Sequence, residues 1–332
     1  MSRTPEVSVV IGIHNPGRYL RQTLESILHQ DVDLELVVIE DGCTDESASL
    51  LKDLAFTDAR VRVLRQEHRG LTWALAYGCH EARGQYIARQ DAGDLSIPGR
   101  LATQKAAIER DSGTAFVSCW TEFCGPNLEF LHLAKAGCAS PTCILDPDKP
   151  GIVVDGPTCH PSVMLRKAHY DRVGGYRPAF YYSQDWDLWF RLAEVGRFQC
   201  IQQTLYRVRV LPSGLSGDKR LQEEYARLAR LTLEARQRGH SESELLEAAL
   251  RLGSRSPQTS SATREASIYY FVGAALARNH DQRAMRYVYA ALGRDPFFPR
   301  AWSLLALLAM RHLSPARWIE RHAGEATPRK DR

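Results

Sequence analysis

Three short apolar runs alternate with segments of helical periodicity in the first quarter of the chain, and this alternation constrains the fold. The first run, residues 7–13, is almost entirely apolar, as expected for a parallel strand that helices cover on both faces. Similar runs follow at residues 34–39 and 61–64, with leucine and isoleucine at three- and four-residue spacings between them. Because short loops join these segments, the sequence predicts an α/β fold with a doubly wound, mostly parallel sheet flanked by helices.

Later segments extend this pattern before it changes. Strand-like runs recur at residues 85–90 and 114–118, followed by a region over residues 121–157 that is rich in proline and glycine. We expect that region to consist mainly of loops. Short strands are predicted near residues 162–165 and across residues 198–209.

From about residue 217 onward, the composition shifts to the leucine, alanine, glutamate and arginine typical of helices. Three helices are predicted at Ala266–Arg278, Asp281–Gly293 and Pro299–Arg311, and their pattern resembles one tetratricopeptide-type repeat. Such repeats need several neighbours to bury a core. A structural cap on the first domain and a docking surface for a protein or a membrane are therefore both open interpretations.

Charge and hydropathy exclude some classes of protein. The formal net charge of +4 is too small to favour nucleic acid, although it suits an anionic ligand or a weak membrane-surface contact. No apolar leader precedes the first strand at Val7, and the apolar stretch Ala301–Met310 is too short to span a bilayer. We expect a cytoplasmic protein. Peripheral attachment to the inner face of the membrane is compatible with this expectation.

The chain contains eight cysteines, which are expected to be reduced in the absence of a secretory signal. Four of them form two pairs with four intervening residues each: Cys119 with Cys124, and Cys138 with Cys143. This spacing is wider than in common structural zinc sites. Buried free thiols are the preferred interpretation, and a zinc site is the alternative.

Two carboxylates, Asp91 and Asp94, follow directly after the predicted strand at residues 85–90. Ligands of α/β sheets bind at the carboxyl ends of strands, and Asp41 and residues 65–69 fall at the same edge. Oxygen ligands suit Mg²⁺ or Mn²⁺, which commonly bridge to the phosphates of a substrate. The alternative is a solvated acidic turn.

Four segments, in this order, resemble family 2 glycosyltransferases of the GT-A fold: Val7–Gln30, Leu36–Ser47, Gly84–Leu101 and Cys159–Phe190. The resemblance covers roughly residues 5–210. It implies a nucleotide-diphosphate sugar donor, a divalent metal ion (Mn²⁺ or Mg²⁺), and transfer of the sugar with inversion at the anomeric carbon.

Four residues at the strand ends are candidates for the donor site. Asp41 matches the family position that contacts the nucleotide base, and Gly12 and His14 lie where they would flank the same base. Arg69 precedes a predicted helix and is a candidate for the donor phosphate, together with the helix amides. The alternatives are a helix-capping loop for Asp41, an ordinary loop position for His14 and a surface arginine for Arg69.

Asp91 and Asp94 are the candidates for the ribose and the metal, which would neutralise the leaving diphosphate. The chain departs from the family at Gly93, where many relatives carry an acidic residue that often binds the metal directly. Asp94 must then supply that contact, directly or through water, so metal binding depends mainly on Asp94.

The segment Ser183–Leu192 is predicted to begin a helix, and Asp185 within it matches the general base of the family. Such a base takes the proton from the acceptor hydroxyl as that oxygen attacks. The alternatives are that Asp185 only caps the helix, or that Asp187 is the base. His160 matches a family position near the diphosphate and the acceptor, with a purely structural histidine as its alternative.

Processive members of the family carry a Gln-x-x-Arg-Trp motif and transmembrane helices, and neither is found here; Tyr206–Arg209 occupies that region. We therefore expect transfer of a single sugar to a hydroxyl of a glycan or a lipid-linked glycan, as in the synthesis of cell-envelope polysaccharide. The second hypothesis is a catalytically weakened nucleotide-sugar-binding or scaffold protein that acts through its C-terminal helices.

These inferences predict two regions. Residues 1–216 form the GT-A domain, with a nucleotide-sugar-binding half at residues 1–120 and an acceptor half at residues 121–216. Residues 217–332 form a helical C-terminal region, through which contact with a membrane or a protein is expected.

Overall fold

The computed structural model describes residues 4–136, 156–212, 219–253 and 261–312. Within these residues it contains nine strands in one sheet. The strands are β1 (Val7–Ile13), β2 (Leu34–Asp41), β3 (Val61–Gln66), β4 (Tyr86–Arg89), β5 (Leu95–Ser96), β6 (Thr114–Cys124), β7 (Phe130–Ala134), β8 (Met164–Arg166) and β9 (Arg197–Arg209).

Eleven α-helices lie in the same described residues. They are α1 (Leu20–Leu28), α2 (Ser47–Thr57), α3 (Leu71–Glu81), α4 (Arg100–Glu109), α5 (Lys167–Arg172), α6 (Gln184–Ala193), α7 (Lys219–Gln237), α8 (Ser243–Gly253), α9 (Ser261–Arg278), α10 (Ala284–Arg294) and α11 (Pro299–His312). Short 3-10 helices occur at Gly17–Tyr19 and His160–Ser162.

The sheet has a parallel half and a mixed half. Its strands are ordered β3-β2-β1-β4-β8-β6-β9-β5, with β7 paired to β6. Strands β3, β2, β1 and β4 are mutually parallel, whereas β8 runs antiparallel to both β4 and β6. The predicted α/β sheet flanked by helices and followed by a helical segment is confirmed, and the mixed half follows the parallel half in sequence.

Burial on both faces explains why the parallel strands read as apolar runs. Every residue of β1 and β2 is buried. Alternate side chains form two cores, one with Val10, Ile39 and Ile87 under α3 and α6, and the other with Ile11 and neighbouring residues under α1 and α4. Full burial of one such aliphatic side chain contributes about 1.5–3 kcal/mol, so the apolar residues determine which face of the strand packs against which helices. Because side chains alternate along a strand, the orientation of the residues at the strand end follows from this packing.

The first part of the region predicted as loops contains two strand segments. β6 extends to Cys124, where it pairs with Arg209 of β9, and β7 follows it. The glycine–proline pair at residues 125–126 only makes the turn between β6 and β7, with the Leu128 amide donating to the Gly125 carbonyl oxygen at 3.0 Å. Residues 137–155 lie outside the described residues.

The described chain divides into two compact units by its contacts. The first contains most of the sheet with α1–α8, and the second contains α9–α11 with residues 125–131. The three predicted C-terminal helices correspond to α9, α10 and α11. The expected domain boundary at residue 216 lies outside the described residues and stays a prediction.

Neither a membrane span nor a metal cluster is found among the described residues. None of the described helices is long and apolar enough to cross a bilayer. Cys119 and Cys124 are free thiols, and burial raises the pKa of each to about 12. Their proposed zinc-binding companions, Cys138 and Cys143, lie outside the described residues.

Candidate active site

Asp41 is the last residue of β2, and its buried carboxylate organises the loop that follows β3. Its Oδ1 accepts hydrogen bonds from the Gln66 side chain at 2.6 Å and the Arg69 amide at 2.8 Å. Its Oδ2 accepts from the Gly70 amide at 2.9 Å and from Nδ1 of His68 at 3.0 Å. Burial raises the pKa of Asp41, but these bonds outweigh it and hold the pKa below its ordinary value. Asp41 is therefore an ionised anchor for this loop.

Two imidazole rings form a stacked pair beside Asp41. The ring centroids of His14 and His68 are 3.9 Å apart, with 26° between the planes. Nδ1 of His14 donates to the Asp41 carbonyl oxygen at 2.8 Å. Both side chains are exposed, so they present a flat aromatic surface that suits stacking with a planar heterocycle.

Two glycines allow the close approaches that build this edge of the sheet. A Cβ at Gly12 would lie 3.1 Å from the Ala74 Cβ, so Gly12 lets α3 pack directly onto β1. Gly42 has a φ of +65°, and a Cβ there would lie 2.9 Å from the His68 amide nitrogen. Gly12 is thus buried under α3, where its side-chain position is taken by the helix.

Arg69 contributes its main chain to Asp41 and its side chain to a different contact. The guanidinium carbon lies 3.6 Å from the centroid of the Trp73 ring, a close cation–π arrangement between two exposed side chains. Trp73 belongs to the first turn of α3. The Arg69 charge is therefore held near a helix N-terminus, where the helix dipole also favours an anion.

Asp94 faces the interior of the protein. Its Oδ2 accepts a hydrogen bond from the Tyr206 hydroxyl at 3.0 Å, and its Oδ1 accepts one from the Arg209 amide at 2.9 Å. Burial raises the pKa of Asp94 well above its ordinary value, and the negative charge of Asp91 raises it further. Asp94 therefore ties the acidic motif to β9.

Asp91 is the carboxylate of this motif that reaches the surface. Its side chain is 36% exposed, and Oδ1 lies 2.6 Å from Nη1 of Arg89. The Asp91 amide donates to the Tyr206 hydroxyl at 3.2 Å. Between the two carboxylates, Gly93 has a φ of +103° and donates its amide to Oγ1 of Thr23 at 3.0 Å.

A divalent cation fits Asp91 better than Asp94. Mg²⁺ is commonly held by one or two carboxylates together with substrate phosphates, which requires a carboxylate accessible from the cleft. Asp91 meets that requirement, whereas both oxygens of the buried Asp94 already accept bonds from within the protein. In the part of the chain that the structure describes, no group of three or more His, Cys, Asp or Glu side chains is arranged for a metal. The geometry therefore does not support the expectation that Asp94 supplies the direct contact.

Arg100 is a buried residue that the sequence reasoning did not single out. Its guanidinium is fully buried. It donates to Gln104 at 3.0 Å, to Gln90 and Ser96 at 2.9 Å, and to the carbonyl oxygens of Arg89 and Pro161 at 2.8 Å. Arg100 thus holds the end of β4 beside the short helix that begins at His160.

Arg89 is a second buried arginine, one residue before the end of the strand that was predicted from sequence. It is 2% exposed, and Nη1 donates to the Gln90 carbonyl oxygen as well as to Asp91. Its Nε and Nη2 atoms have no hydrogen-bond partner among the described residues. The only sequence signal for Arg89 is a charged side chain inside an otherwise apolar buried strand.

Asp185 lies in the first turn of α6. Ser183, the residue before this helix, has a left-handed backbone conformation with a φ of 55°. Its Oδ1 accepts a hydrogen bond from the Trp186 amide at 2.9 Å. Burial raises the pKa of Asp185 to about 6; that hydrogen bond and the charge of Arg89 oppose the increase, and Asp91 adds to it. A carboxylate with this pKa is ionised near neutral pH and still basic enough to accept a proton.

Asp187 lies two residues further along α6 and has different surroundings. It is buried, and both of its oxygens accept bonds from guanidinium groups. Arg177 pairs with both oxygens, and Nη2 of Arg191 lies 2.6 Å from Oδ2. Residues two apart on a helix point to nearly opposite faces, so Asp187 anchors the helix while Asp185 faces away from that anchor.

His160 is held as a neutral imidazole. Its Nε2 lies 2.7 Å from the Tyr176 hydroxyl, and its ring meets the Trp189 ring edge-on at 6.3 Å. Burial lowers the pKa of His160 well below its ordinary value, and the positive charge of Arg89 lowers it further. His160 is therefore suited to donate or accept a hydrogen bond without carrying charge.

Seven of the eight predicted site residues fall into two clusters near the carboxyl ends of neighbouring strands, and Asp94 belongs to neither. The rim cluster consists of Gly12, His14, Asp41, His68 and Arg69. The Arg89 cluster consists of Arg89, Asp91, His160, Tyr176 and Asp185.

The N-terminal turn of α3 connects the two clusters. Oγ1 of Thr72 donates to the Phe180 carbonyl oxygen at 2.7 Å, so α3 contacts the segment that leads into α6. Of the ten residues in the two clusters, Arg89 and Tyr176 were not expected from the sequence, and His68 was expected at this edge only as part of residues 65–69.

Comparisons with known proteins agree with this architecture. The family model described as glycosyl transferase family 2 matches residues 8–172. The putative glycosyltransferase EpsE of Bacillus subtilis (strain 168) is 33% identical over 216 residues, which cover 63% of this chain and 74% of EpsE.

Solved structures show the same fold at low sequence identity. Residues 1–349 of Staphylococcus aureus TarS in complex with UDP match with a TM-score of 0.52 and 15% identity, covering 92% of this chain and 91% of that one. The mannosyltransferase PcManGT of Pyrobaculum calidifontis, in complex with GDP-Man and Mn²⁺, matches with a TM-score of 0.53 and 18% identity, covering 94% and 88%. The predicted GT-A fold is thereby confirmed.

Proposed function

Because the chain belongs to glycosyl transferase family 2, we propose that it is an inverting enzyme that moves one sugar from a nucleotide-diphosphate donor to an acceptor hydroxyl. The observation that carries this proposal is the environment of Asp185. This half-buried carboxylate in the first turn of α6 has a pKa raised to about 6, beside the ion pair of Arg89 and Asp91.

Asp185 acts as the general base in this proposal. It accepts the proton of the acceptor hydroxyl while the hydroxyl oxygen attacks the anomeric carbon. The bond to the diphosphate breaks on the opposite side of that carbon, so the sugar is transferred with inversion and the nucleoside diphosphate leaves. One positioned base contributes about 10²- to 10⁴-fold to the rate.

The rim cluster receives the nucleotide. The stacked rings of His14 and His68 offer an exposed face for the base of the nucleotide, and Gly12 keeps β1 and α3 close enough to form the floor. Arg69 and the amides at the start of α3 favour the phosphates. Asp41 acts mainly through the loop that it holds, since its oxygens already accept four hydrogen bonds.

A divalent cation, Mn²⁺ or Mg²⁺, belongs to this proposal through Asp91. Bound there with the diphosphate, the ion would offset the negative charge that develops on the leaving group. The Asp94 carboxyl accepts a hydrogen bond from the Tyr206 hydroxyl, which in turn accepts one from the Asp91 amide. Asp94 therefore positions Asp91 without contacting the ion. Nucleotide affinity measured with Mn²⁺ and then with chelator tests this role, and equal affinities would contradict it.

The deciding experiment compares sugar transfer by the wild type with Asp185→Asn and Asp185→Ala. A panel of nucleotide sugars screened by thermal shift first identifies the donor, since ligand at 100 times its dissociation constant stabilises a protein by about 2.7 kcal/mol. We expect both variants to bind that donor and to transfer its sugar about 10²- to 10⁴-fold more slowly. Wild-type rates in both variants would exclude Asp185 as the base.

The rival function, a binding or scaffold protein acting through its C-terminal helices, has one observation in its favour. Large apolar side chains are exposed around α11: Phe297 is 90% exposed, Trp302 is 54% exposed and Met310 is 63% exposed. Hydrolysis of the donor without an acceptor separates the two functions, because many transferases release sugar to water and a pure binder does not. Sedimentation with vesicles of anionic phospholipid tests the expected membrane contact of the same helices.

A further inference from the structure

The guanidinium of Arg89 combines burial with unused hydrogen-bonding capacity. The residue is 2% exposed, and Nη1 is bonded to the Asp91 carboxylate and to the Gln90 carbonyl oxygen. Nε and Nη2 have no hydrogen-bond partner among the described residues. Such atoms are uncommon because a buried donor without an acceptor forfeits the bonds that it makes in water.

Burial alone does not explain these two atoms, because Arg100 is buried beside them and is fully bonded. Nε, Nη1 and Nη2 of Arg100 all donate, and the recipients include the main-chain oxygen of Arg89. All three nitrogens of the Arg100 guanidinium therefore have acceptors, whereas one edge of the neighbouring Arg89 guanidinium has none among the described residues. That edge is the pair of Nε and Nη2, the geometry with which arginine donates to two neighbouring oxygen atoms.

The position of Arg89 identifies what can reach this edge. Arg89 and Ile87 lie on the same face of β4, and Ile87 packs in the core that also contains Leu188 and Trp189 of α6. Arg89 therefore lies on the face of the sheet that α6 covers, and Asp185 belongs to the first turn of that helix. Its positive charge lowers the pKa of Asp185 while Asp91 raises it, consistent with all three groups lying close together.

Inversion fixes the order of the groups around the reacting carbon. The acceptor oxygen, beside Asp185, and the leaving diphosphate, beside Asp91, must lie on opposite sides of the transferred sugar. Arg89 is ion-paired with Asp91, and its charge also acts on Asp185, so it lies near both sides of the transferred sugar. The donor oxygens that lie between the two sides are those of the sugar ring.

We propose that Arg89 binds the transferred sugar, with Nε and Nη2 donating to two neighbouring oxygens while Nη1 stays on Asp91. Two adjacent hydroxyls, or the two oxygens of a sugar carboxylate, have the spacing that this edge requires. Arg89 is then a determinant of which sugar is transferred. This inference rests on the proposed function, because it takes the positions of the base and the diphosphate from it.

The test separates the sugar from the nucleotide. Isothermal titration compares UDP with UDP-GlcNAc, and GDP with GDP-mannose, for the wild type, Arg89→Lys and Arg89→Gln. Lysine keeps the charge beside Asp91 but lacks the paired donors, and glutamine lacks both. We expect the nucleotide sugar to bind more tightly than its nucleoside diphosphate in the wild type, and both variants to lose about 10- to 100-fold of that difference. Affinity for UDP or GDP alone should change far less than this difference in Arg89→Lys, which keeps the positive charge beside Asp91.

Arg100→Lys is the matched control, because it alters the other buried arginine of the same motif. It should lower the free energy of unfolding and leave the difference between nucleotide sugar and nucleoside diphosphate as in the wild type. The inference is wrong if the Arg89 variants lower the affinities for the nucleoside diphosphate and for the nucleotide sugar by the same factor. That result would mean that Nε and Nη2 bind the phosphates rather than the sugar. It is also wrong if neither sugar adds affinity in the wild type, or if the variants keep that gain. A wild type that binds neither these four probes nor any other member of the nucleotide-sugar panel contradicts the proposed function instead.

Discussion

The rim cluster and the Arg89 cluster are built from the same kinds of side chain but differ in how completely their polar atoms are bonded. In the rim cluster, Asp41 accepts four hydrogen bonds, and its pKa is held below the ordinary value. In the Arg89 cluster, two guanidinium nitrogens lack acceptors among the described residues, and burial raises the pKa of Asp185 to about 6.

This difference separates a cluster that fixes shape from one that is prepared for chemistry. Fully bonded groups rigidify a loop, because any movement breaks several hydrogen bonds at once. Buried donors without an acceptor, and carboxylates whose pKa is raised by burial, lower the stability of the protein without substrate. Binding of a substrate that supplies the missing partners stabilises these groups most. Substitutions in the two clusters should therefore have opposite signatures in stability and activity.

The largest effect is expected at Asp185, where activity and stability should change in opposite directions. Asp185→Asn removes the base and should slow transfer by about 10²- to 10⁴-fold. Because the folded pKa is raised from 3.8 to about 6, ionisation of Asp185 destabilises the fold as the pH rises through that range. Denaturant unfolding should show the variant to be more stable than the wild type at pH 8 and no more stable at pH 3.

The same pKa determines the pH profile of the wild type. The base must be ionised, so kcat/KM should rise as the pH increases through about 6 and then level off. This acidic limb should be missing in Asp185→Ala, whose residual rate lacks the titrating base. A wild-type limb that persists unchanged in that variant would assign the titration to another group.

Asp187 provides the contrasting substitution on the same helix. Asp187→Asn leaves Arg177 and Arg191 without their buried carboxylate partner, and loss of one member of a buried ion pair costs about 3–5 kcal/mol. Denaturant unfolding should show this loss, while the acidic limb of kcat/KM for the folded variant stays near pH 6. A selective loss of activity with unchanged stability would make Asp187 the base instead.

An intermediate effect is expected at Asp41, where stability should fall first. Asp41→Asn removes the charge that four donors share, and a buried donor left without its acceptor costs about 1–3 kcal/mol. Since the pKa of Asp41 is lowered from 3.8, this stabilisation is complete above pH 3.8 and is lost as the pH falls through the lowered value. Unfolding measured at pH 7 and pH 2.5 should show a smaller difference at the lower pH.

Nucleotide titration of the same variant decides how Asp41 acts. If Asp41 works through its loop, affinity for the nucleoside diphosphate should fall modestly and in proportion to the lost stability. Asp45→Asn is the matched control, because that carboxylate bonds the amides of Gly17 and Ser47 in a neighbouring turn. A large loss of nucleotide affinity with unchanged stability would mean that Asp41 contacts the base directly.

The sequence predicted the positions of both clusters better than their bonding. Parallel strands buried on both faces have a recognisable pattern, so the positions of Asp41 at the end of β2 and of Asp91 shortly after β4 were predicted correctly. The inward orientation of Asp94 depends on the Tyr206 hydroxyl, 112 residues away, which no local pattern reveals. The open edge of Arg89 likewise follows from which atoms Arg100 and Asp91 occupy. The strand β7 was missed because glycine and proline mark a turn without showing what flanks it.

The smallest effect is expected at Trp73, which tests whether the side chain of Arg69 belongs to the rim cluster. Trp73→Ala removes the ring that lies 3.6 Å from the Arg69 guanidinium, an exposed contact worth about 0.5–1 kcal/mol. If that contact presents Arg69 to the donor phosphates, affinity for UDP or GDP should fall about two- to fivefold, with little change for the corresponding nucleoside, which lacks phosphate. Arg69→Gln should lower the affinity at least as much, and the double variant no further, since both act through one cation. Equal losses for nucleoside and nucleoside diphosphate would instead assign Trp73 to the nucleotide base, and would leave the phosphates to the amides at the start of α3.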